Sequence, residues 1–395
     1  MVTNPPFYNA RQISGKNEEG NILSVIVKKS YIVADNGLCT PMETLSIIES
    51  PQFYSANNGL LEMDSDLLAS KLLTDLVIKG KARFYRPTYQ FEVTVQIGNN
   101  KISILAIGKR KSYLNSQKEI KFTSPELVSE IPLRYDFAYG GIDTESEKLN
   151  FPLPSEEILE LIPKNLDIYA NSLYRYQRNP CGKGFIVEKN EKSFENFELP
   201  NLEDPQDLLT PETLLVNDVN RWHEMPLPRC TDWVSHDWFP RIGYIDLLDV
   251  FKKKPKTLKE IQHGWANLDL DRESAFIPDI KPDILSKNKM NLRFMNGASL
   301  GLQLPYIKPG EKIKLTNIHP KHSEFVITLP NEYPSIWVDG RKGKLLPTKP
   351  VIHTVVIEPD ENRLSIVWRG SAPSLRPYHE EELKTMPYKV EWNEK

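Results

Sequence analysis

Two stretches hold the residues whose types could do chemistry. In NPCGKGF (179–185), Cys181 sits between a proline and two closely spaced glycines, with Lys183 between those glycines. A catalytic loop would need Cys181 ionised beside a base; a tight turn needs only the conformational freedom of Gly182 and Gly184. A phosphate cradle requires a longer glycine-rich turn feeding a helix N-terminus, whereas here FIVEKN (185–190) follows and reads as strand. In RWHEMPLPRCTDWVSHDWFPR (221–241), His223, Cys230, Asp232 and His236 are metal-binding types, but their spacing matches no zinc signature. Its rings Trp222, Trp233, Trp238 and Phe239 suit a stacking platform, a partner contact or core packing. His319 and His322 flank a turn between strands, which excludes a helical two-ligand site. Glu203 and Asp204 precede Pro205 and suit hydrogen bonding in an Asx-type turn. No cofactor, metal or catalytic set is expected from these patterns.

The elements that position these stretches read mainly as strands. YQFEVTVQI (89–97) alternates with period two, placing Tyr89, Phe91, Val93, Val95 and Ile97 on one face. GNN turns the chain into KISILAIGKR (101–110), so a hairpin spans 89–110. LSVIVKKSYIV (23–33) alternates before the turn ADNG, and LRYDFAY (133–139) places Leu133, Tyr135, Phe137 and Tyr139 inward. KIKLTNI (312–318), EFVITLP (324–330) and HTVVIEPDENRLSIVWRG (353–370) are strands again, the last a hairpin with PDEN at its tip. Asp339-Gly340 marks a turn in a further hairpin over 335–344. Between these regions SEEILELI (155–162) and IDLLDVFKKK (245–254) read as short helices amid irregular, proline-broken backbone. The fold class is therefore mainly β: β-sandwich-like sheets with an irregular, helix-containing middle insert and a minor α+β component. The expected layout is an N-terminal β domain (1–145), a middle region packed on the β-core (146–290), a C-terminal β domain (291–375) and a polar tail (376–395).

Bulk composition narrows the function classes. A chain of 395 residues exceeds the usual limit of a single core. Its 50 basic and 53 acidic side chains leave a net charge of −3, too balanced for a nucleic-acid partner bound through bulk charge. Cys39, Cys181 and Cys230 are odd in number and scattered, unlike a secreted disulfide framework. No apolar run reaches the length of a membrane span or a signal-peptide core, so a cytoplasmic protein without membrane insertion is expected.

Taken in order, SDLLASKLLTDLVIKGKA (65–82), RYDFAYGG (134–141), NPCGKGF (179–185), LPNLEDP (199–205), WFPRIGY (238–244), RFMNGASLGLQLP (293–305), LTNIHP (315–320) and the 353–370 hairpin resemble domain-of-unknown-function family 2169. That family is linked to bacterial type VI secretion. The resemblance covers about residues 20–370 and implies a non-enzymatic adaptor or chaperone. Such a protein would bind an effector toxin and aid its loading onto the valine-glycine-repeat spike or its tip protein. It implies motif positions at Arg134, Asp136, Gly140, Gly141, Asn179, Pro180, Gly182, Gly184, Asn201, Glu203, Asp204, Pro205, Arg241, Arg293 and Asn317, joined in a buried polar network. The 221–237 segment is longer than in shorter family members, so its aromatic cluster is open to a partner-specific contact. The competing readings are an envelope-directed hydrolase or thiol-dependent enzyme, and a structural component of the secretion apparatus.

Overall fold

The computed structural model describes residues 8–17, 20–54, 59–150, 174–188, 194–239, 241, 292–341 and 343–394. Its largest sheet runs β1 (Asn9–Asn17), β2 (Gly20–Val33), β23 (Arg363–Pro373), β22 (Val351–Glu358), β6 (Thr74–Ile78) and β17 (Gln303–Leu304), with β3 (Cys39–Pro41) added along the end of β2. All pairings are antiparallel except β22 with β6. A second, antiparallel sheet runs β16 (Leu202–Glu203), β9 (Asn100–Ile107), β8 (Gln90–Ile97), β18 (Lys312–Thr316) and β19 (Glu324–Thr328). Smaller sheets are β20 (Glu332–Val338) between β21 (Leu346–Pro347) and β24 (Tyr388–Glu394), and β10 (Lys111–Leu114) between β11 (Ile120–Phe122) and β15 (Phe197–Glu198). Three pairs complete the set: β7 (Lys81–Thr88) with β12 (Val128–Pro132), β4 (Gln52–Phe53) with β5 (Leu61–Met63), and β13 (Tyr139–Gly140) with β14 (Lys183–Gly184). The described helices are α1 (Thr144–Asn150) and α2 (Glu380–Thr385). The protein is mainly β, as the alternation predicts.

One apolar core takes side chains from both large sheets, including Val25, Val27, Val77, Val93, Val95, Leu315, Ile327, Val355 and Ile366. Alternation explains the inward set, and coverage of both faces explains the rest. On β2, Leu23, Val25, Val27 and Tyr31 enter this core, while Ser24, Ile26, Lys28 and Ser30 are buried on the opposite face. Lys28 is tolerated there because its ammonium donates to Ser46 O at 3.1 Å and to Asp66 at 2.8 Å. On the core face, Lys29 reaches Glu332 at 2.7 Å, and the Tyr31 hydroxyl donates to the same carboxylate.

The boundaries expected at 145 and 291 do not separate the sheets. β2 pairs with β23 from Ile22↔Pro373 to Ile32↔Arg363, β6 pairs with β22, and β8 pairs with β18. Strand periodicity identifies elements but carries no information about which distant strand each will pair with, so N- and C-terminal parts interleave. The described residues between 174 and 241 form, together with Tyr139, a second apolar cluster built from Tyr176, Phe185, Phe194, Leu214 and Trp222 among others. The polar tail is also ordered: β24 pairs with β20 from Glu332↔Glu394 to Val338↔Tyr388. The stretch 133–139 has the expected buried Leu133, Tyr135 and Tyr139, but Tyr135–Phe137 is a turn of 3₁₀ helix. Tyr89 lies just before β8 and is 58% exposed. The helices expected at 155–162 and 245–254 fall outside the described residues.

Candidate functional site

Most of the expected motif residues meet where the middle region joins the sheets. β13 and β14 run parallel, tied by Lys183 N–H to Ala138 O at 3.0 Å and Phe185 N–H to Gly140 O at 3.0 Å. Asn179 is fully buried between them, and its amide donates to Tyr135 O at 2.7 Å and Tyr139 O at 3.0 Å. The glycines let these backbones close on it. A Cβ on Gly140, where φ is +149°, would lie 2.0 Å from Asn179 O, and one on Gly182 would lie 2.5 Å from the Asn179 amide nitrogen. Gly141 donates to Asn179 O at 2.9 Å, Gly184 is buried against Pro200, and Pro180 is half-buried at the turn. NPCGKGF is thus a turn that docks one backbone on another. Lys183 reaches out of it to Glu198 at 2.8 Å, with Phe137 beneath its ammonium.

The charged motif positions are fastened in pairs. Arg134 pairs with Asp136 through two guanidinium N–H groups. Asn201 exchanges hydrogen bonds with Ile107, its amide donating to the carbonyl at 3.0 Å and its carbonyl accepting from the backbone N–H at 2.8 Å. Glu203, 3% exposed, accepts from Arg110 and from Leu209 N–H; burial raises its carboxyl even though both neighbours oppose the shift. Asp204 accepts two bonds from Arg229, and its other oxygen caps the Gln206 N–H beyond the half-buried Pro205. Asn317 takes a left-handed conformation, φ +58°, at the end of β18, and its amide donates to Glu92 O at 2.8 Å. These are the local bonds that an irregular segment needs when no ladder supplies them.

A deeper cluster lies beneath the large sheet. Arg241 donates to Asp64 at 2.9 Å, Val234 O at 2.8 Å and Phe294 O at 3.0 Å, and His236 approaches the second Asp64 oxygen at 3.1 Å. Burial alone would raise the Asp64 carboxyl; the Arg241 charge and the His236 hydrogen bond outweigh it and hold the group below the usual carboxylate range. Next to it, Lys71 and Asp75 form a fully buried pair at 2.7 Å. Lys71 also donates to Thr354 Oγ1, and Asp75 accepts from Asn296 and from the N–H groups of Gly297 and Ala298. Arg293 is buried on the same turn, its carbonyl accepting from Asn296 N–H. Arg241, Arg293, Glu203 and Asp204 are expected from the sequence, whereas their partners Asp64, Arg110 and Arg229 and the Lys71–Asp75 pair are not. The available signal is a charge inside an otherwise apolar run, as with Lys71 and Asp75 in SKLLTDLVI.

The candidates for chemistry are dispersed. Cys181 is half-buried, and burial, helped by Asp237 and opposed by Arg175, pushes its thiol up to about 12. Cys230 is buried and donates to Leu133 O at 3.1 Å, and burial raises its thiol as well. His223 sits 4.0 Å from Glu224, whereas Asp232 accepts from Tyr54 and Trp233 N–H. Among the described residues, no three His, Cys, Asp or Glu side chains converge as a metal site. His319 and His322 stack with centroids 5.0 Å apart in their turn. The expected partner-contact rings are corrected: Trp222, Trp233, Trp238 and Phe239 are each 5% exposed or less. Trp233 and Trp238 enter the main core while Trp222 and Phe239 enter the second, so the 221–239 segment stitches the two together. Their apolar area is worth more buried than displayed.

A family model described as an uncharacterized protein conserved in bacteria, DUF2169, matches residues 18–369. The chain belongs to this family. Comparison with curated proteins and with solved structures finds no match. In this DUF2169 chain the residues left at the surface differ from those in the motifs. Tyr85, Tyr89 and Leu127 are 76%, 58% and 60% exposed around the β7–β12 pair. A cleft of about 430 Å³ runs along the glycine-rich junction past Gly141, Lys183 and Phe197, and a second, of about 290 Å³, opens beside Lys109 and Lys111. No described helix is long and apolar enough to cross a membrane.

Proposed function

We propose that this DUF2169-family protein is a non-enzymatic, cytoplasmic adaptor that binds a type VI effector toxin and aids its loading onto the spike or the spike's tip protein. The link to secretion comes from the family resemblance. The observation that supports a scaffold is where the motif residues go: Asn179, Asn201, Glu203, Asp204 and Arg241 spend their hydrogen bonds on backbone and on opposite charges within the chain. Raised thiols at Cys181 and Cys230 speak against a thiolate nucleophile. Exposed tyrosines and a leucine supply the kind of surface that partners bury. A complex stable enough to survive loading should bury about 1,600 Å² in total. The test is co-expression with the toxin encoded beside the gene, followed by size-exclusion chromatography. Co-elution and improved toxin solubility are expected, and should persist in Cys181→Ser and Cys230→Ser variants. Absence of both effects overturns the reading.

A further inference from the structure

Three lysines crowd one carboxylate at the smaller cleft. Lys183 holds Glu198 at 2.8 Å, and the Lys109 and Lys111 charges add to the Lys183 contact in keeping that carboxyl low. Neither Lys109 nor Lys111 forms an ion pair with a described residue, and both are exposed. Glu126 is the second acid on the wall, so the cleft retains an excess of positive charge in a chain whose net charge is −3. Backbone bonds set an apolar rim beside it. Glu126 N–H donates to Lys109 O at 3.0 Å, Gly108 N–H donates to Tyr89 O at 2.9 Å, and Val128 pairs with Thr88. Leu127 and Tyr89 therefore lie next to Lys109, with Tyr85 further along β7; on β10, Tyr113 shares the exposed face of Lys111.

From this we infer that the Lys109–Lys111 cleft and its rim of Tyr89 and Leu127 form a docking site for an acidic segment of a partner protein that also carries apolar side chains. Charge complementarity selects the acid: a partner carboxylate can share the lysines that Glu198 alone does not neutralise. The tyrosines offer large contact area at low entropic cost. With Arg110, the fourth cation on the wall, held by Glu203, three lysines facing two carboxylates are a poor match for a phosphate backbone, whose binding grows with the number of phosphates neutralised. The partner is taken to be the toxin client, which rests on the adaptor reading above.

Fluorescence polarisation with a labelled Glu-Leu-Ser repeat peptide tests the site directly, with a Lys-Leu-Ser peptide and a single-stranded oligonucleotide alongside. The acidic peptide is expected to bind, more weakly as salt rises. The double change Lys109→Glu, Lys111→Glu should weaken it at least about tenfold, and Tyr89→Ala about fivefold or more, with thermal stability unchanged because these side chains are exposed. Equal binding by the double variant, or equal or tighter binding of the basic peptide or the oligonucleotide, overturns the site. The co-expressed toxin separates this failure from that of the adaptor reading. Co-elution that the double variant leaves intact sinks the docking site while the adaptor stands. If the toxin never co-elutes with the unaltered protein, the adaptor reading falls and the peptide result alone decides the site.

Discussion

Asp232 shows how a single buried group ties stability to pH. The residue is 1% exposed, and burial raises its carboxyl to about 7 although Lys79 and the Trp233 N–H pull the other way. An acid that titrates near 4 in the unfolded chain and near 7 when folded keeps its proton in the folded state alone across that interval. Stability therefore falls as pH rises from about 4 to about 7 and levels off above. Asp64 has the opposite sign: its depressed carboxyl contributes stability above about pH 4 that is lost only on stronger acidification. Between pH 5 and 8 the Asp232 slope should therefore stand clear of it. Asp232→Asn is expected to flatten that slope and to exceed the unaltered protein by about 1–3 kcal/mol at pH 8; urea midpoints at the two pH values check this, and an unchanged slope refutes it. Asp75→Ala should be harsher, costing about 3–5 kcal/mol, because it strands the Lys71 ammonium and the Gly297 and Ala298 N–H groups. A loss below about 1 kcal/mol in the same assay would mean that the pair is not the anchor described. Only one member of the Arg241–Asp64, Glu203–Arg110 and Asp204–Arg229 pairs was legible in the sequence, and neither member of Lys71–Asp75 was. Arg241 meets Asp64 at a separation of 177 positions and Glu203 meets Arg110 at 93, distances over which no local pattern connects the partners.

At the scale of elements, β24 carries the next prediction. It covers β20 along its length, and Trp392 packs against Tyr8 with centroids 5.8 Å apart and lies 4.3 Å from the Lys29 ammonium. Ending the chain after Met386 would leave β20 with only the short β21 beside it and open a row of unpaired N–H and C=O groups. A lower melting temperature and concentration-dependent aggregation in light scattering are expected; a truncated protein that melts unchanged and scatters no more light than the full chain contradicts the role. The strand itself was within reach of sequence reading, since Tyr388, Val390 and Trp392 alternate in YKVEWNE, but the interleaved charges gave it the look of a solvated tail. The hairpins β8–β9 and β22–β23 were legible because alternation and turn residues agreed. In 133–139 the same alternation produced a 3₁₀ turn, because Arg134 and Asp136 pair with each other across it instead of facing a neighbouring strand. The tryptophans of 221–239 could not be placed from sequence, because a ring that closes a core and a ring that meets a partner have the same composition signature.

For the whole molecule, the decisive property is that the sheets close only when the two ends of the chain meet. β2 lies between β1 and β23, β6 between β22 and β17, and β8 between β9 and β18, so residues before 145 supply strands whose partners come after 291. Cut at the first expected boundary, the N-terminal part keeps the pairings β1–β2, β2–β3, β4–β5, β7–β12, β8–β9 and β10–β11 but loses β23, β22 and β18 together. That uncovers Val25, Val77 and Val95 among others and strands the ladder groups of three central strands. Small strand pairings without a shared core are marginal at best. A fragment of residues 1–145 expressed alone is therefore expected to show an undispersed amide proton spectrum, and the full chain to lose the two large sheets in one cooperative transition. Pairings this distant in sequence also predict slow refolding, on the order of seconds or longer by the trend for non-local β folds. A well-dispersed spectrum from the fragment, or separate transitions for the two large sheets in hydrogen exchange, would show that the interleaved strands do not act as one folding unit.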